Sequence, residues 1–259
     1  MSNADDNWRI LERAGFSVLV VKSWQSDGVI HGFLGIEPIL RQELSRKRQA
    51  LILKEALGIE ALYIAEQTHS INVLKVSSPC DSKDVQELGK GDAIIITASS
   101  GTRSGVVIYT ADCVPLLMRC GKWVAAVHAG WKGLADGIIN NAVQSLVQAA
   151  GCKSIEVAIG PCAGSDCYQV GPDVIDAIGS SAFFSKDISV RDTQSDRYLL
   201  DLAATAASQV RTSTDQNEVK LASINIAKRC TIRGHYHSYR RDREDAGRNL
   251  SFIVAGSVR

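Results

Sequence analysis

The feature that most constrains the fold is the segment 105–133, which alternates short apolar runs with glycine and proline. Two of these runs, 106–109 and 123–127, are apolar and rich in β-branched residues. Such runs are typical of buried strands. A reactive side chain comes soon after each run, Cys113 after the first and His128 after the second. We therefore expect a rigid sheet whose strand ends hold Cys113 and His128 in fixed positions.

Other apolar runs along the chain predict further strands, and periodic segments between them predict helices. The predicted strands are 16–21, 29–34, 62–65, 71–76, 93–97, 115–119, 155–159, 224–226 and 251–254, and the predicted helices are 38–57, 134–150, 172–178 and 199–210. Some strands adjoin each other and others are separated by helices, so we expect an α/β fold with mixed β-sheets covered by helices. No repeat or linker divides the chain, and we expect a single domain over residues 1–259.

Composition and charge exclude several classes of protein. The chain has 259 residues, a net charge of +1 and 45% hydrophobic residues, which is ordinary for a soluble globular domain. The charge balance predicts no nucleic-acid partner, and no apolar run is long enough to predict a membrane partner. The first residues lack the basic-then-apolar order of a signal peptide. We therefore expect a cytoplasmic protein whose seven scattered cysteines are free thiols.

A third reactive side chain, His69, follows the predicted strand 62–65, and we expect it to converge with Cys113 and His128. Two imidazoles and one thiolate are a ligand set typical of catalytic zinc sites, where the fourth position is open to water. The same ligands also suit copper. Two other interpretations remain open. Cys113 can act as a nucleophile with His128 as its base, or the three residues are unrelated and Cys113 is a small buried apolar residue.

Seven segments in this order resemble the polyphenol oxidase, or laccase-domain, family. They are QTHS, GDAIIIT, YTADCVPLL, VHAGWKGL, IGPCAGSDCYQVG, LLDLA and SYRRDREDAGR. The resemblance begins at about Ala61 and continues to the C-terminus. It implies that His69, Cys113 and His128 hold Zn²⁺ or Cu²⁺. It also implies a fold similar to that of bacterial toxin deamidases, which use a Cys–His pair as cysteine hydrolases do.

The resemblance implies an activity as well. Bacterial members of the family are described as purine nucleoside phosphorylases, which cleave adenosine, inosine and methylthioadenosine with phosphate, and as peptidoglycan editing factors. Adenosine deamination and phenol oxidation are also attributed to the family. We therefore expect a purine nucleoside and phosphate as substrates. The alternatives are an amidase that edits cell-wall peptide precursors through Cys113, a copper-dependent polyphenol oxidase, and a metal-binding module without activity.

The N-terminal part departs from the family pattern. Members usually carry an Arg-x-Gly-Gly-Val-Ser type of segment after His-Gly-Phe. Here His31, Gly32 and Phe33 are followed by Leu34-Gly35-Ile36 and then by the predicted helix. This predicts a shortened loop at the rim of the substrate site.

Several other residues are candidates for supporting roles. Arg240 and Arg248 lie in the family motifs SYRR and GR, and a guanidinium group can bind phosphate through two hydrogen bonds. Asp112 is a candidate to orient the Cys113 loop, whereas Asp92 is interpreted as a turn residue. Trp131 can stack on a base, although a core position is at least as common. Cys162 lies in the predicted turn Gly160-Pro161-Cys162. The other cysteines besides Cys113 are interpreted as inert thiols: Cys80, Cys120, Cys152, Cys167 and Cys230.

Overall fold

The computed structural model describes residues 7–79, 81–98, 102–181, 189–191 and 196–256. Most of the apolar runs form strands in this part of the chain. In chain order the strands are β1 (Trp8–Arg13), β2 (Phe16–Val21), β3 (His31–Leu34), β4 (Ala61–Glu66), β5 (Val73–Val76), β6 (Gln86–Lys90), β7 (Ala93–Thr97), β8 (Ser104–Thr110), β9 (Val114–Cys120), β10 (Trp123–Ala129), β11 (Ser154–Ile159), β12 (Gln169–Val170), β13 (Ser189–Arg191), β14 (Tyr198–Leu200), β15 (Lys220–Ile226) and β16 (Asn249–Ala255).

Helices connect the strands and cover the sheets. They are α1 (Lys22–Ser26), α2 (Arg46–Leu57), α3 (Trp131–Asp136), α4 (Ile138–Ala150), α5 (Pro172–Gly179), α6 (Leu202–Gln216) and α7 (Tyr239–Asp242). None of the helices in the described ranges combines the length and the apolar character needed to cross a bilayer.

The strands form two large sheets and one small sheet. The first large sheet has the order β1-β2-β3-β16-β8-β4-β6, and the second has the order β15-β11-β9-β10-β7-β5. The small sheet has the order β12-β14-β13. In the first sheet β4 runs parallel to β8 while β16 runs antiparallel to it. In the second, β11 runs parallel to β15 and antiparallel to β9. The predicted α/β class with mixed sheets is therefore confirmed.

Apolar faces stack these elements into four layers. One core cluster joins the two large sheets, with Phe33 from β3, Ile108 from β8 and Leu117 from β9 among its members. A second cluster packs α4 and α6 onto the outer face of the second sheet. A third packs α2 onto the outer face of the first sheet. Both large sheets are thus covered on both faces, which explains why interior strands such as β8 and β10 are almost continuously apolar.

Three predicted boundaries are wrong for local reasons. The first long helix begins at Arg46 and not at residue 38, because Ser45 caps it by accepting a hydrogen bond from the Arg48 N–H. The predicted helix 134–150 is divided by Gly137, whose φ of 95° ends α3 before α4 begins. The predicted helix 199–210 is preceded by β14, and α6 begins only after Asp201 caps it.

Two cysteines interpreted as inert thiols form a disulfide. Cys120 at the end of β9 is bonded to Cys152 just after α4, and their Cα atoms are 6.0 Å apart. Because α4 packs across the second sheet, its C-terminus reaches the end of β9. The prediction that all cysteines are free is therefore wrong for this pair. Cys80 lies outside the described residues.

We predict that Gly160→Ala destabilises the fold. A Cβ atom at residue 160, directly after β11, would overlap the ring of the buried Phe33 on the other large sheet. Overpacking of this kind typically lowers the free energy of unfolding by about 1–3 kcal/mol. The measurement is denaturant unfolding of the wild type and the variant.

The matched control is Gly179→Ala at the end of α5. A Cβ atom there meets nothing within 4 Å, and alanine is the better helix former, so its stability will equal or slightly exceed that of the wild type. Equal stability of the Gly160 and Gly179 variants would contradict the close packing between the sheets.

Candidate metal centre

Three strand ends carry the side chains predicted to converge. His69 lies in the turn after β4, Cys113 lies in the tight turn between β8 and β9, and His128 lies in β10. The prediction that His128 follows the strand is wrong by two residues, because β10 continues to Ala129. β8 and β10 are interior strands of the two large sheets. The three side chains therefore come from both sheets at the same end of the structure.

The structure brings the three side chains together. Their nitrogen and sulfur ligand atoms all lie within 4.8 Å of one another. His69 Nε2 is 3.8 Å from Cys113 Sγ, and the two imidazole rings meet edge to face with centroids 4.8 Å apart. His128 is buried, Cys113 is half-buried and His69 is exposed. The cluster is therefore open to solvent on the side of His69.

A buried carboxylate, Asp92, joins the two histidines. His128 Nδ1 lies 2.7 Å from Asp92 Oδ1. The Asp92 carboxylate also accepts hydrogen bonds from the His69 turn. The backbone N–H groups of Thr68, His69 and Ser70 donate to it at 3.2, 3.1 and 2.6 Å. The interpretation of Asp92 as an ordinary turn residue is therefore wrong. Its position immediately before the apolar run 93–97 was the available signal in the sequence.

Gln67 fixes the His69 turn to the strand that leads to Cys113. Its side-chain amide donates to the Tyr109 carbonyl at 2.7 Å, and its carbonyl accepts from the Tyr109 N–H at 2.8 Å. The side chain thus satisfies both backbone groups of Tyr109, as a neighbouring strand would. His69 itself has a φ of 60°, a conformation that is uncommon outside glycine. The bonds from Gln67 and Asp92 hold this turn in place.

Gly130 permits the close approach of the cluster. A Cβ atom at this position would lie 2.6 Å from His69 Cδ2 and 3.1 Å from Cys113 Sγ. Any larger residue would push both side chains away. Residue 130, in the VHAGW segment, must therefore be glycine, because there is no room for a side chain at this position.

Opposite charges stabilise the ionised thiol. Burial alone would raise the pKa of Cys113, but His128 and His69 outweigh it and lower the pKa to about 6. Burial likewise would lower the pKa of His128, but the charge of Cys113 and the hydrogen bond to Asp92 outweigh it and raise the pKa to about 9. Burial would also raise the pKa of Asp92, yet the bonds from His128 and Ser70 hold that pKa well below its usual range.

These residues fit a zinc or copper ion. Two ligands of one tetrahedral zinc ion, an imidazole nitrogen and a thiolate, are about 3.6 Å apart, close to the observed 3.8 Å between His69 Nε2 and Cys113 Sγ. Asp92 binds Nδ1 of His128 and leaves Nε2 for a metal, as carboxylate partners of metal-binding histidines do. A thiolate with two imidazoles suits either metal.

Asp112 connects the Cys113 turn to the polar, Arg-rich segment 230–249, which contains Arg240 and Arg248. Its carboxylate accepts from Thr231 Oγ1 and from the Arg240 N–H, both at 2.6 Å. Its own carbonyl accepts from the Ala163 N–H at 2.9 Å. Asp112 has a φ of 83° and is buried, so these bonds hold a strained backbone beside Cys113.

A cavity of about 520 Å³ lies on the side of Trp131, the residue after Gly130. Tyr168 and Arg240 line it as well. The Arg240 guanidinium stacks 4.8 Å from the centre of the Tyr168 ring and donates to the Gln169 carbonyl at 2.8 Å. Arg248 is not among the residues described as lining this cavity. It donates to the carbonyls of Ala246 and Gly247 instead.

The sequence model of the family described as multi-copper polyphenol oxidoreductase laccase matches residues 41–256. The chain belongs to this family. Relatives include a purine nucleoside phosphorylase of Clostridium acetobutylicum, 32% identical over 206 residues, covering 78% of this chain and 80% of the relative. An adenosine deaminase of an unknown prokaryotic organism is 31% identical over 163 residues, covering 61% of this chain and 62% of its own.

A solved structure shares the fold. The hypothetical protein YfiH of Bacillus licheniformis superposes with a TM-score of 0.78 at 25% identity. The match covers 96% of this chain and 98% of the other. The two proteins therefore share the arrangement of sheets and helices over nearly the whole chain.

We predict that Asp92→Asn weakens zinc binding about 10- to 100-fold, the usual effect of losing a carboxylate partner of a ligand histidine. The asparagine NH₂ group would face the backbone N–H donors of the His69 turn. The measurement is a competition titration against a chromophoric chelator. The matched control is Asp215→Asn on the exposed face of α6, which should bind zinc as the wild type does. Unchanged affinity in the Asp92 variant would contradict its role.

We also predict that Cys113 is ionised near neutral pH in the metal-stripped protein. Because its pKa is lowered to about 6, alkylation by iodoacetamide should rise with a midpoint near that pH and level off above about pH 7. Added zinc should protect the residue. The Cys113→Ala variant supplies the background from the other thiols. A midpoint at the ordinary thiol value of about 8.5 would contradict the electrostatic picture.

Proposed function

We propose that this protein is a metal-dependent enzyme of purine nucleoside metabolism. It cleaves adenosine or inosine with phosphate to the free base and ribose 1-phosphate, and methylthioadenosine to adenine and methylthioribose 1-phosphate. It also deaminates adenosine. The observation that carries the proposal is the triad of His69, Cys113 and His128, open to solvent beside a cavity that an aromatic ring and an arginine line. Relatives named purine nucleoside phosphorylase and adenosine deaminase support the same substrate class.

His69, Cys113 and His128 would hold the metal. A zinc ion there supplies Lewis acidity and lowers the pKa of water toward neutrality. The chain orients these ligands. Asp92 fixes the tautomer of His128 by accepting from Nδ1. The two hydrogen bonds between the Gln67 side chain and the Tyr109 backbone fix the distance between the His69 turn and the Cys113 turn.

The cavity supplies binding groups that suit a nucleoside and phosphate. Trp131 and Tyr168 present aromatic rings against which a purine can stack. Arg240 presents a guanidinium, which matches phosphate oxygens through two hydrogen bonds. Because Asp112 accepts from its backbone N–H and Gln169 accepts from its side chain, Arg240 is ordered before substrate arrives. Arg248, which is not among the described residues that line this cavity, holds its loop through the carbonyls of Ala246 and Gly247.

A specific observation favours a second candidate, an amidase that uses Cys113 as a nucleophile. Asp92, His128 and Cys113 are arranged like the acid, base and nucleophile of cysteine hydrolases, and the pKa of Cys113 is lowered to about 6. In this candidate the substrate is a cell-wall peptide precursor, whose amide carbonyl the thiolate attacks. The metal then has no part in catalysis.

The test incubates the purified protein with inosine or adenosine and phosphate and separates the products by chromatography. We expect hypoxanthine or adenine together with ribose 1-phosphate, and inosine from adenosine alone. Chelation should abolish both activities, and zinc should restore them. Cys113→Ala should reduce turnover by at least about 100-fold, since it removes a metal ligand.

Nucleoside turnover that survives thorough chelation but is lost in Cys113→Ala would overturn the role of the metal. An acyl adduct on Cys113 with a muropeptide substrate, together with no turnover of any nucleoside, would decide for the amidase. Turnover of a phenol only in the copper-loaded protein would instead support the oxidase interpretation.

A further inference from the structure

A second pair of sulfur atoms lies outside the candidate metal centre. Cys167 Sγ and Cys230 Sγ are 3.2 Å apart, and the two residues are 63 positions apart in the sequence. Cys167 lies in the turn after β11, and Cys230 lies in the Arg-rich segment after β15. Both are half-buried. The function proposed above uses neither of them.

The backbone holds the two cysteines at this distance. Cys230 forms an isolated parallel bridge with Cys162, in which the Thr231 N–H donates to the Cys162 carbonyl at 2.9 Å. The Gly164 N–H donates to Cys230 Sγ at 3.3 Å. The Cys167 N–H in turn donates to the Gly164 carbonyl at 3.1 Å. These hydrogen bonds hold the two backbone segments beside each other, and they therefore keep the two sulfurs close together.

A metal ion is the weaker explanation of the pair. Asp166 lies close enough to be a third ligand, but its carboxylate already accepts from the Arg233 guanidinium. Two thiolates bound to one zinc ion would be about 3.8 Å apart, farther than the observed 3.2 Å. A disulfide needs sulfurs about 2.05 Å apart. The two sulfurs, now 3.2 Å apart, need to approach by only about a further 1.2 Å to reach this length.

We propose that Cys167 and Cys230 are a redox site that forms a reversible disulfide by exchange with low-molecular-weight disulfides. In the first step the Cys230 thiolate attacks one sulfur of the small disulfide, forming a mixed disulfide and releasing one thiolate. In the second step the Cys167 thiolate attacks Cys230 Sγ and releases the other. In sum two protein thiols become one disulfide, and one small disulfide becomes two thiols.

Access decides which cysteine reacts first. Cys230 lines a cavity of about 470 Å³, whose wall also includes Arg229 and Tyr236. The exposed Arg229 favours an anionic disulfide as the reactant. Burial and the adjacent Cys230 raise the pKa of Cys167, so Cys167 is the less reactive thiol in the first step. Once Cys230 is in the mixed disulfide, it no longer carries a negative charge beside Cys167, and the Cys167 thiolate can form for the second step. The probe for this site is oxidised glutathione, which carries carboxylates.

The disulfide would connect two segments that reach the candidate metal centre. Tyr168, next to Cys167, stacks on Arg240, and Thr231, next to Cys230, donates to Asp112 beside Cys113. Oxidation therefore fixes the spacing between these segments. Formation of the Cys167–Cys230 disulfide does not depend on whether the protein acts on nucleosides.

The test uses the full chain after complete reduction and removal of the reductant. The protein is equilibrated in a series of oxidised-to-reduced glutathione ratios, quenched with N-ethylmaleimide and digested for mass spectrometry. We expect a peptide pair joined through Cys167 and Cys230, lighter by two hydrogen atoms than the reduced pair, and released again by dithiothreitol. The Cys120–Cys152 disulfide is the internal reference in the same digest.

A matched variant keeps the result interpretable. Cys167→Ser, in the turn after β11, should stop at the glutathione mixed disulfide on Cys230 and leave Cys120–Cys152 unaffected. Alkylation of both Cys167 and Cys230 under conditions that oxidise Cys120–Cys152 would overturn the proposal, as would a wild type that stops at the mixed disulfide. Zinc retained by Cys113→Ala but lost by Cys113→Ala combined with Cys167→Ser would overturn it in favour of a metal site.

Discussion

The buried carboxylate of Asp92 is the interaction on which the site depends. It is 1% exposed, and an unpaired buried charge would cost several kcal/mol. It accepts instead from three consecutive backbone N–H groups of the His69 turn, from Ser70 Oγ and from His128 Nδ1. The same bonds that make the burial of this charge tolerable also place both imidazoles. Fold stability and ligand geometry are therefore coupled at a single residue.

The two large sheets explain why this arrangement is rigid. β8 is flanked by β16 and β4, and β10 is flanked by β9 and β7. Both strands are buried along their whole length. At the Cys113 end, β8 pairs with β16 on one side and is bonded by the Gln67 side chain on the other. His128 pairs with Pro115 of β9, and its N–H donates to the Asp92 carbonyl. Neither end can shift without breaking bonds on two sides, so Cys113 and His128 keep their separation. The more exposed His69 depends on side-chain bonds from Gln67 and Asp92 in place of this pairing.

The apolar runs of the sequence predicted most of the strands and the meeting of His69, Cys113 and His128, since each follows from a strand end. The role of Asp92 could not be predicted in the same way. It depends on the antiparallel register between β7 and β10, where Val127 pairs with Ala93, so that the preceding Asp92 comes beside His128. The Cys120–Cys152 bond likewise required the direction in which α4 crosses its sheet. Long-range register of this kind is not encoded in any local pattern.

The amide of Gln67 has a further consequence for how this chain can diverge. By occupying both polar backbone groups of Tyr109, it sets the offset between the two chain segments through one side chain. The connection from Val76 to Gln86 can therefore lengthen or shorten while the imidazole of His69 keeps its place. That connection lies beside Glu60 at the start of β4, the end opposite the His69 turn. Changes in its length would therefore leave the centre itself untouched.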